Sequence, residues 1–325
     1  MLQESAPLFD GPNHWPNNLS PSPMLRRSIL FVGPALALCA CAQDTSSLSG
    51  NVYGSETSTS TETKHDLPAG EALETIVDTT TQETSMAIQD GMDAMDSKAE
   101  KGGMPSMADK AFKGYDQLLK LHVDENGWVD YEALKDQKAI LDAYVVSLAK
   151  PIDPKADPSQ RLAHLINAYN AFTLKLIVDN GIPDSIMELE GGKPWDVECW
   201  KLAGESVSLN QIEHDLIRPV FQEPRIHWAL VCAAVSCPPL RNEAYTASDL
   251  EDQLKDQEGY VLNFEHPRYA QQVDAGVLIT PLFDWYGQDF GDWKAYAAKR
   301  LGVGAASFGS FLEYDWKLNS TANRP

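Results

Sequence analysis

Positive charge is scarce in this chain of 325 residues. Lysine and arginine number 26 against 47 aspartates and glutamates, which gives a formal net charge of -21 at pH 7. Such an acidic surface repels the phosphates of nucleic acids and anionic lipids. We therefore expect no nucleic acid among the partners of this protein.

Long hydrophobic runs are lacking as well. The apolar run at 29–39 is too short to span a membrane as a helix. It follows the basic start MLRR at 24–27 and ends in LCAC at 38–41, a pattern similar to that of bacterial lipoprotein signal peptides. Cys41 is then the lipidated residue, and an ordinary cleaved signal peptide is the alternative.

This N-terminal pattern predicts where the protein resides. Residues 1–23 are interpreted as an upstream extension and 24–41 as the lipoprotein signal peptide. The expected location is the bacterial cell envelope, at the outer membrane and facing the periplasm. A lipid anchor is the only membrane attachment that the sequence predicts.

Residues 42–106 have few apolar residues at regular spacing. The segments SETSTSTET at 55–63 and TTTQET at 79–84 are of low complexity and bury too little surface to fold. We therefore predict a disordered linker at 42–106, followed by one folded domain at 107–320.

The folded part is predicted to be mostly helical. A helix is expected at 158–180, with Asp157 as its N-cap and Gly181 at its end. Further helices are expected from Ser208 to a stop before Pro219, from Ser248, and at 293–301. Residues 273–280 are typical of a strand broken by a glycine. Helices and strands do not alternate, so the predicted fold class is α+β, a mostly helical single domain with a small β-sheet.

Two asparagines occupy one side of the predicted hydrophobic helix at 158–180. Asn167 and Asn170 are three residues apart, as are His164 and Asn167. A buried amide without partners costs on the order of 1–3 kcal/mol. Both asparagines therefore either bond to neighbouring backbone or line a binding site.

Cysteine is rare, yet two of the five cysteines follow one another closely in an apolar stretch. Residues 225–240 read RIHWALVCAAVSCPPL, which places His227, Cys232 and Cys237 together. Thiols and imidazoles are suited to nucleophilic chemistry near neutral pH. Cys232 or Cys237 is thus a candidate nucleophile, with His214 or His227 as the base. On a strand His227 and Cys232 would face opposite sides, so His214 is the better partner for Cys232.

Other interpretations of these residues remain open. Cys232 and Cys237 are close enough in sequence for a disulfide, and export makes a disulfide plausible. The spacing of the histidines and cysteines matches no standard zinc site, so neither a metal nor another cofactor is expected. Cys232 also fits a purely structural role, because free cysteines are often buried.

Six motifs together resemble the family called domain of unknown function 547, over about residues 110–315. They are GWVDY at 127–131, INAYNA at 166–171, SLNQIEH at 208–214, RIHWALVC at 225–232, SCPPL at 236–240 and FDWY at 283–286. The resemblance implies no established reaction.

The sequence therefore predicts a domain that binds or processes an envelope substrate. The sequence does not identify the envelope ligand or protein that is its partner. The alternatives are a cysteine-dependent hydrolase or transferase and a structural scaffold without activity. The candidate catalytic residues are Cys232, Cys237, His214 and His227. The candidate binding residues are Asn167, Asn170, Glu213 and Arg225.

Overall fold

The computed structural model describes residues 105–325. The predicted signal peptide with Cys41, and nearly all of the predicted linker at 42–106, lie outside the described residues. Phe112–Pro325 lie within one compact unit. Within residues 105–325, no helix is both long enough and apolar enough to cross a membrane.

Helices dominate the described part of the chain. They are α1 (Met107–His122), α2 (Tyr131–Asp136), α3 (Lys138–Ser147), α4 (Pro158–Asp179), α5 (Leu209–Gln211), α6 (Arg218–Phe221), α7 (Leu250–Val261), α8 (Leu282–Tyr286) and α9 (Trp293–Leu301). A π-helical turn, Ile212–Ile217, connects α5 to α6, and a 3-10 helix, Pro224–Trp228, follows α6. Shorter 3-10 turns occur in several of the loops.

Five short strands form two small sheets in residues 105–325. β1 (Trp200–Leu202) and β2 (Glu205–Val207) make an antiparallel hairpin. β3 (Ala270–Val273) pairs antiparallel with β4 (Gly276–Ile279), and β4 pairs in parallel with β5 (Phe308–Phe311). The predicted α+β class with a small sheet is confirmed.

Helix α4 is the centre of the helical layer. Asp157 caps it by accepting the Ser159 N–H at 2.8 Å, and Asn180 and Gly181 end it, as predicted. From Ile166 to Val178 its residues are buried on all sides, because α2, α3, α5 and the π-helical turn pack around it. A second apolar cluster includes Trp228, Tyr269 and Phe283 and lies between α7, α9 and the three-stranded sheet.

Two predicted elements differ from the structure. The helix from Ser208 has the expected capping box with Gln211, but it does not stop before Pro219. Proline is tolerated there because it lies in the first turn of α6, where the missing N–H has no helical partner to lose. The predicted strand at 273–280 is instead a hairpin of β3 and β4, because residues 274 and 275 form a turn.

Candidate functional site

The two cysteines lie in a loop that the C-terminal segment holds in place. The apolar stretch that carries them is neither strand nor long helix: the 3-10 helix ends at Trp228 and irregular backbone follows. Val235 donates its N–H to the Lys317 carbonyl at 2.8 Å, and Ser236 Oγ accepts the Asp315 N–H at 2.9 Å. We call residues 229–240 the thiol loop.

The two asparagines of α4 bond to backbone. Asn170 donates to the Ala229 carbonyl at 2.9 Å and accepts the Val231 N–H at 2.9 Å, so it clamps the start of the thiol loop. Asn167 makes the same pair of bonds to the backbone of Tyr245, at 2.8 and 2.9 Å. Of the two roles predicted for these amides, backbone bonding is the one that the structure shows.

The two thiols are neighbours but are not joined by a disulfide. The Cys232 N–H donates to Cys237 Sγ at 2.9 Å, and Cys232 Sγ lies 3.2 Å from the Tyr314 hydroxyl. Cys237 is buried and Cys232 is half-buried. Of the two residues, Cys232 is the more exposed.

The surroundings of the two thiols separate their acidities. A hydrogen bond from Cys237 lowers the pKa of Cys232; burial opposes this effect, and the Tyr314 hydroxyl adds to it. Burial, together with the negative charge of Cys232, raises the pKa of Cys237 well above its usual range. The arrangement thus favours one thiolate, at Cys232, beside a Cys237 that keeps its proton.

A charged cluster is built around Asp289. Its carboxylate accepts bonds from Arg218 Nε and Nη2 at 2.7 and 2.9 Å and lies 2.7 Å from His227 Nε2. Burial raises the pKa of Asp289, but the hydrogen bonds from His227 and Arg218 outweigh it and hold that pKa below its usual range. The Tyr286 ring stacks on His227 with centroids 4.1 Å apart.

The π-helical turn brings Glu213 and His214 to this cluster. Arg218 Nη1 lies 2.8 Å from His214 Nδ1; arginine can only donate, so that nitrogen accepts. Burial lowers the pKa of His214, which agrees with a neutral ring. Glu213 is buried, and its Oε1 lies 3.8 Å from His227 Nδ1, beyond hydrogen-bond distance. On its outer side the cluster borders a pocket of about 230 Å³ that Arg218 and Asp289 help to line.

The thiols and the charged cluster share neighbours. After burial, the charges of Glu213 and Cys232 are the main causes that raise the pKa of Tyr286, and the same two charges raise that of Tyr169. Yet among residues 105–325 no hydrogen bond joins His214 or His227 to either thiol. The expected pairing of His214 with Cys232 is not formed, because His214 is bonded to Arg218 and Cys232 to Tyr314.

Arg225 lies apart from both groups. It bonds to Glu223 through Nε at 2.8 Å and to Glu251 through Nη1 at 2.8 Å, and so ties the 3-10 helix to the start of α7. In the described part of the chain, no group of three or more His, Cys, Asp and Glu side chains is placed to hold a metal ion.

Asp289 and Tyr314, the residues that bond His227 and Cys232, are not predicted by the sequence. Each belongs to an aromatic segment, and neither sits at a spacing that distinguishes it from its neighbours. Asp289 does follow Tyr286 by three residues, so the motif at 283–286 was the nearest signal. Only the packing of the C-terminal part of the chain against the 3-10 helix at Pro224–Trp228 and the thiol loop reveals their roles.

The fold and the site define an α+β domain with a thiol pair and a partly buried charged cluster. Residues 155–260 match the family model described as Protein of unknown function, DUF547. This stretch contains four of the six motifs, so the resemblance seen in the sequence is confirmed there; the motifs at 127–131 and 283–286 lie outside it. No curated protein and no solved structure matches the chain.

His164 gives a prediction about pH and stability. Burial lowers its pKa to about 4, and its Nε2 is buried without a hydrogen-bond partner. In the unfolded chain a histidine takes up its proton near pH 6.5. Between pH 6.5 and 4 the unfolded state thus binds more protons, so the free energy of unfolding falls as the pH falls.

We expect this loss to reach roughly 1–3 kcal/mol at pH 4. Urea unfolding of the unaltered protein and of His164→Leu, from pH 7 to 4, measures it. The variant should lose less stability than the unaltered protein across this window, since His214 and His266 titrate in both. Equal pH dependence in the two proteins would show that His164 is not held neutral.

Proposed function

We propose that this domain is a thiol-dependent hydrolase or transferase with Cys232 as its nucleophile. The observation that carries the proposal is the contact of Cys232 Sγ with the Tyr314 hydroxyl, in a loop where the Cys232 N–H also donates to Cys237 Sγ. Hydrogen-bond donors stabilise a thiolate, and the thiolate is the nucleophilic form. Cys232 is also the more exposed of the two cysteines, so we assign the substrate to it.

The reaction class follows from these groups. The Cys232 thiolate attacks the carbonyl carbon of an acyl group, the bond to the leaving group breaks, and the leaving group takes a proton. The resulting thioester passes its acyl group to water or to another acceptor. The Tyr314 hydroxyl is the O–H group that contacts the sulfur. It stays protonated because its pKa is raised, first by burial and second by the charge of Cys232.

His227 and Asp289 support this site from behind in our proposal. Their bond and the stack of Tyr286 on His227 fix the position of the Tyr286 ring, whose pKa is raised by burial and then by the charges of Glu213 and Cys232. They are positioning residues, since neither is bonded to the thiol. The lipoprotein signal pattern at 24–41 supports a substrate in the bacterial cell envelope.

Alkylation of the reduced, folded protein by iodoacetamide tests the proposal. We expect Cys232 to react faster at pH 7 than a free model thiol, with its pH profile shifted to lower pH; peptide mass spectrometry identifies the labelled cysteine. Tyr314→Phe keeps the ring and removes a hydrogen bond worth about 1.5–3 kcal/mol to a charged group, so labelling at pH 7 should slow roughly tenfold or more.

Tyr260→Phe is the matched control, because it also removes one hydroxyl hydrogen bond, to Asn126 at 2.8 Å. Its labelling rate should equal that of the unaltered protein. Labelling of Cys232 only after unfolding, or a Tyr314→Phe rate equal to the control, contradicts the proposal and favours a structural thiol.

A further inference from the structure

An aromatic surface extends from the thiol site. Tyr314, whose hydroxyl contacts Cys232, packs against Trp316 and Trp285 with ring centroids 4.5 and 4.8 Å apart. Trp195 continues the row, 6.0 Å from Trp316. All four rings are half-buried, so part of each faces solvent. We call Trp195, Trp285, Tyr314 and Trp316 the aromatic row.

The aromatic row ends in a cleft of about 460 Å³, which is within the usual size of small-molecule sites. Trp285 belongs to both. The other aromatic residues that line the cleft are Phe283, Trp293 and Phe311. Between them the cleft presents two exposed polar side chains, Asp284 and Gln288. Trp285 thus connects the cleft to Tyr314, whose hydroxyl contacts the Cys232 sulfur.

The side chains of the cleft indicate the chemistry of its ligand. The half-buried rings of the aromatic row offer flat apolar area, while the carboxylate of Asp284 and the amide of Gln288 in the cleft can bond to hydroxyl and amide groups. A sugar ring has both properties, with an apolar C–H face and hydroxyls around its edge. A purely apolar ligand would leave Asp284 without a partner in the complex, and an anionic ligand would be repelled by Asp284 and by the net charge of -21.

We propose that the cleft and the aromatic row bind a neutral oligosaccharide and present an acyl group carried by it to Cys232. This inference rests on the proposed function for its reacting part and names the substrate class. In the reaction the thiolate attacks the acyl carbonyl carbon, and the bond to the sugar oxygen or nitrogen breaks. That atom takes a proton from water. A water molecule then attacks the thioester carbonyl, the C–S bond breaks, the acid is released and Cys232 returns to the thiolate.

Binding is tested with a neutral tetramer of N-acetylglucosamine, by calorimetry and by tryptophan fluorescence, on the full chain carrying Cys232→Ser. This variant leaves the cleft intact and cannot react, so the result does not depend on whether the thiol is a nucleophile. We expect saturable binding in the micromolar to millimolar range, with a change in tryptophan emission.

Two variants locate the binding. Trp285→Ala should weaken it at least tenfold, and Asp284→Asn, an exposed change that spares the fold, should weaken it severalfold. Asp256→Asn is the matched control, since Asp256 is exposed on α7 outside the cleft. Circular dichroism confirms that each variant is folded.

The saccharide proposal is overturned if no binding is seen at about 10 mM sugar. It is also overturned if Trp285→Ala and Asp284→Asn both bind the sugar as tightly as the control Asp256→Asn. Binding of a lysine-rich peptide, without binding of the sugar, would assign the cleft to a cationic peptide. Binding of detergent micelles, without binding of the sugar, would assign it to a lipid. Sugar binding by a protein whose Cys232 does not react would support the saccharide site and contradict the proposed enzymatic activity.

Discussion

Replacing Gly127 by alanine is expected to lower the free energy of unfolding by about 2–5 kcal/mol. Gly127 has a φ of +79°, and a Cβ there would lie 2.5 Å from Pro239 Cα and 2.7 Å from the Leu240 nitrogen. A left-handed alanine costs roughly 1–2 kcal/mol, and the overlap with backbone adds roughly 1–3 kcal/mol. Urea unfolding followed by circular dichroism measures the sum.

Gly181→Ala separates the two costs. Gly181 has the same φ of +79°, but a Cβ there has no atom within 4 Å. Only the conformational cost remains, so the expected loss is about 1–2 kcal/mol. If both variants lose the same stability, the close approach of Gly127 to Pro239 does not exist in solution.

The contact also connects two motifs of the sequence. Gly127 begins the motif at 127–131, and Pro239 belongs to the motif at 236–240 that contains Cys237. The turn at Gly127 therefore supports the end of the thiol loop. In Gly127→Ala we expect the labelling rate of Cys232 to change as well, whereas Gly181→Ala should leave it unaltered.

Replacing Asn170 by alanine is expected to lower the free energy of unfolding by a similar amount, about 2–6 kcal/mol. The change leaves the Ala229 carbonyl and the Val231 N–H buried without their partner, at roughly 1–3 kcal/mol each. Asn180→Ala is the control, because Asn180 is half-buried and makes one bond, to the Leu176 carbonyl at the end of α4. That control should lose about 1 kcal/mol or less.

The thiol loop makes this prediction relevant to function. Asn170 holds the backbone one residue before Cys232. Its replacement should therefore also alter the pH profile of Cys232 labelling, measured without urea on the folded protein. A large loss of stability with an unchanged labelling profile would show that the clamp supports the fold without positioning the thiol.

Local sequence signals determined much of the fold. The caps at Asp157 and Ser208, the stops at Gly181 and Gly302, and the apolar spacing of α4 and α9 act within a few residues. Such signals can be interpreted from sequence because the atoms that satisfy one another are close along the chain. The hairpin of β3 and β4 was missed because a glycine inside an apolar stretch does not reveal whether the chain turns before it.

The candidate site depended on longer distances. The sequence by itself determined that Cys232, Cys237, His214 and His227 occur in one family-like set of motifs, and that Asn167 and Asn170 need partners. Only the tertiary structure decided which groups those partners are. Cys232 meets Tyr314 and His227 meets Asp289, across 82 and 62 residues of chain. Such pairings are set by how the turn after α8 packs on the 3-10 helix at Pro224–Trp228 and how the C-terminal segment packs on the thiol loop. No spacing within the sequence encodes that packing directly.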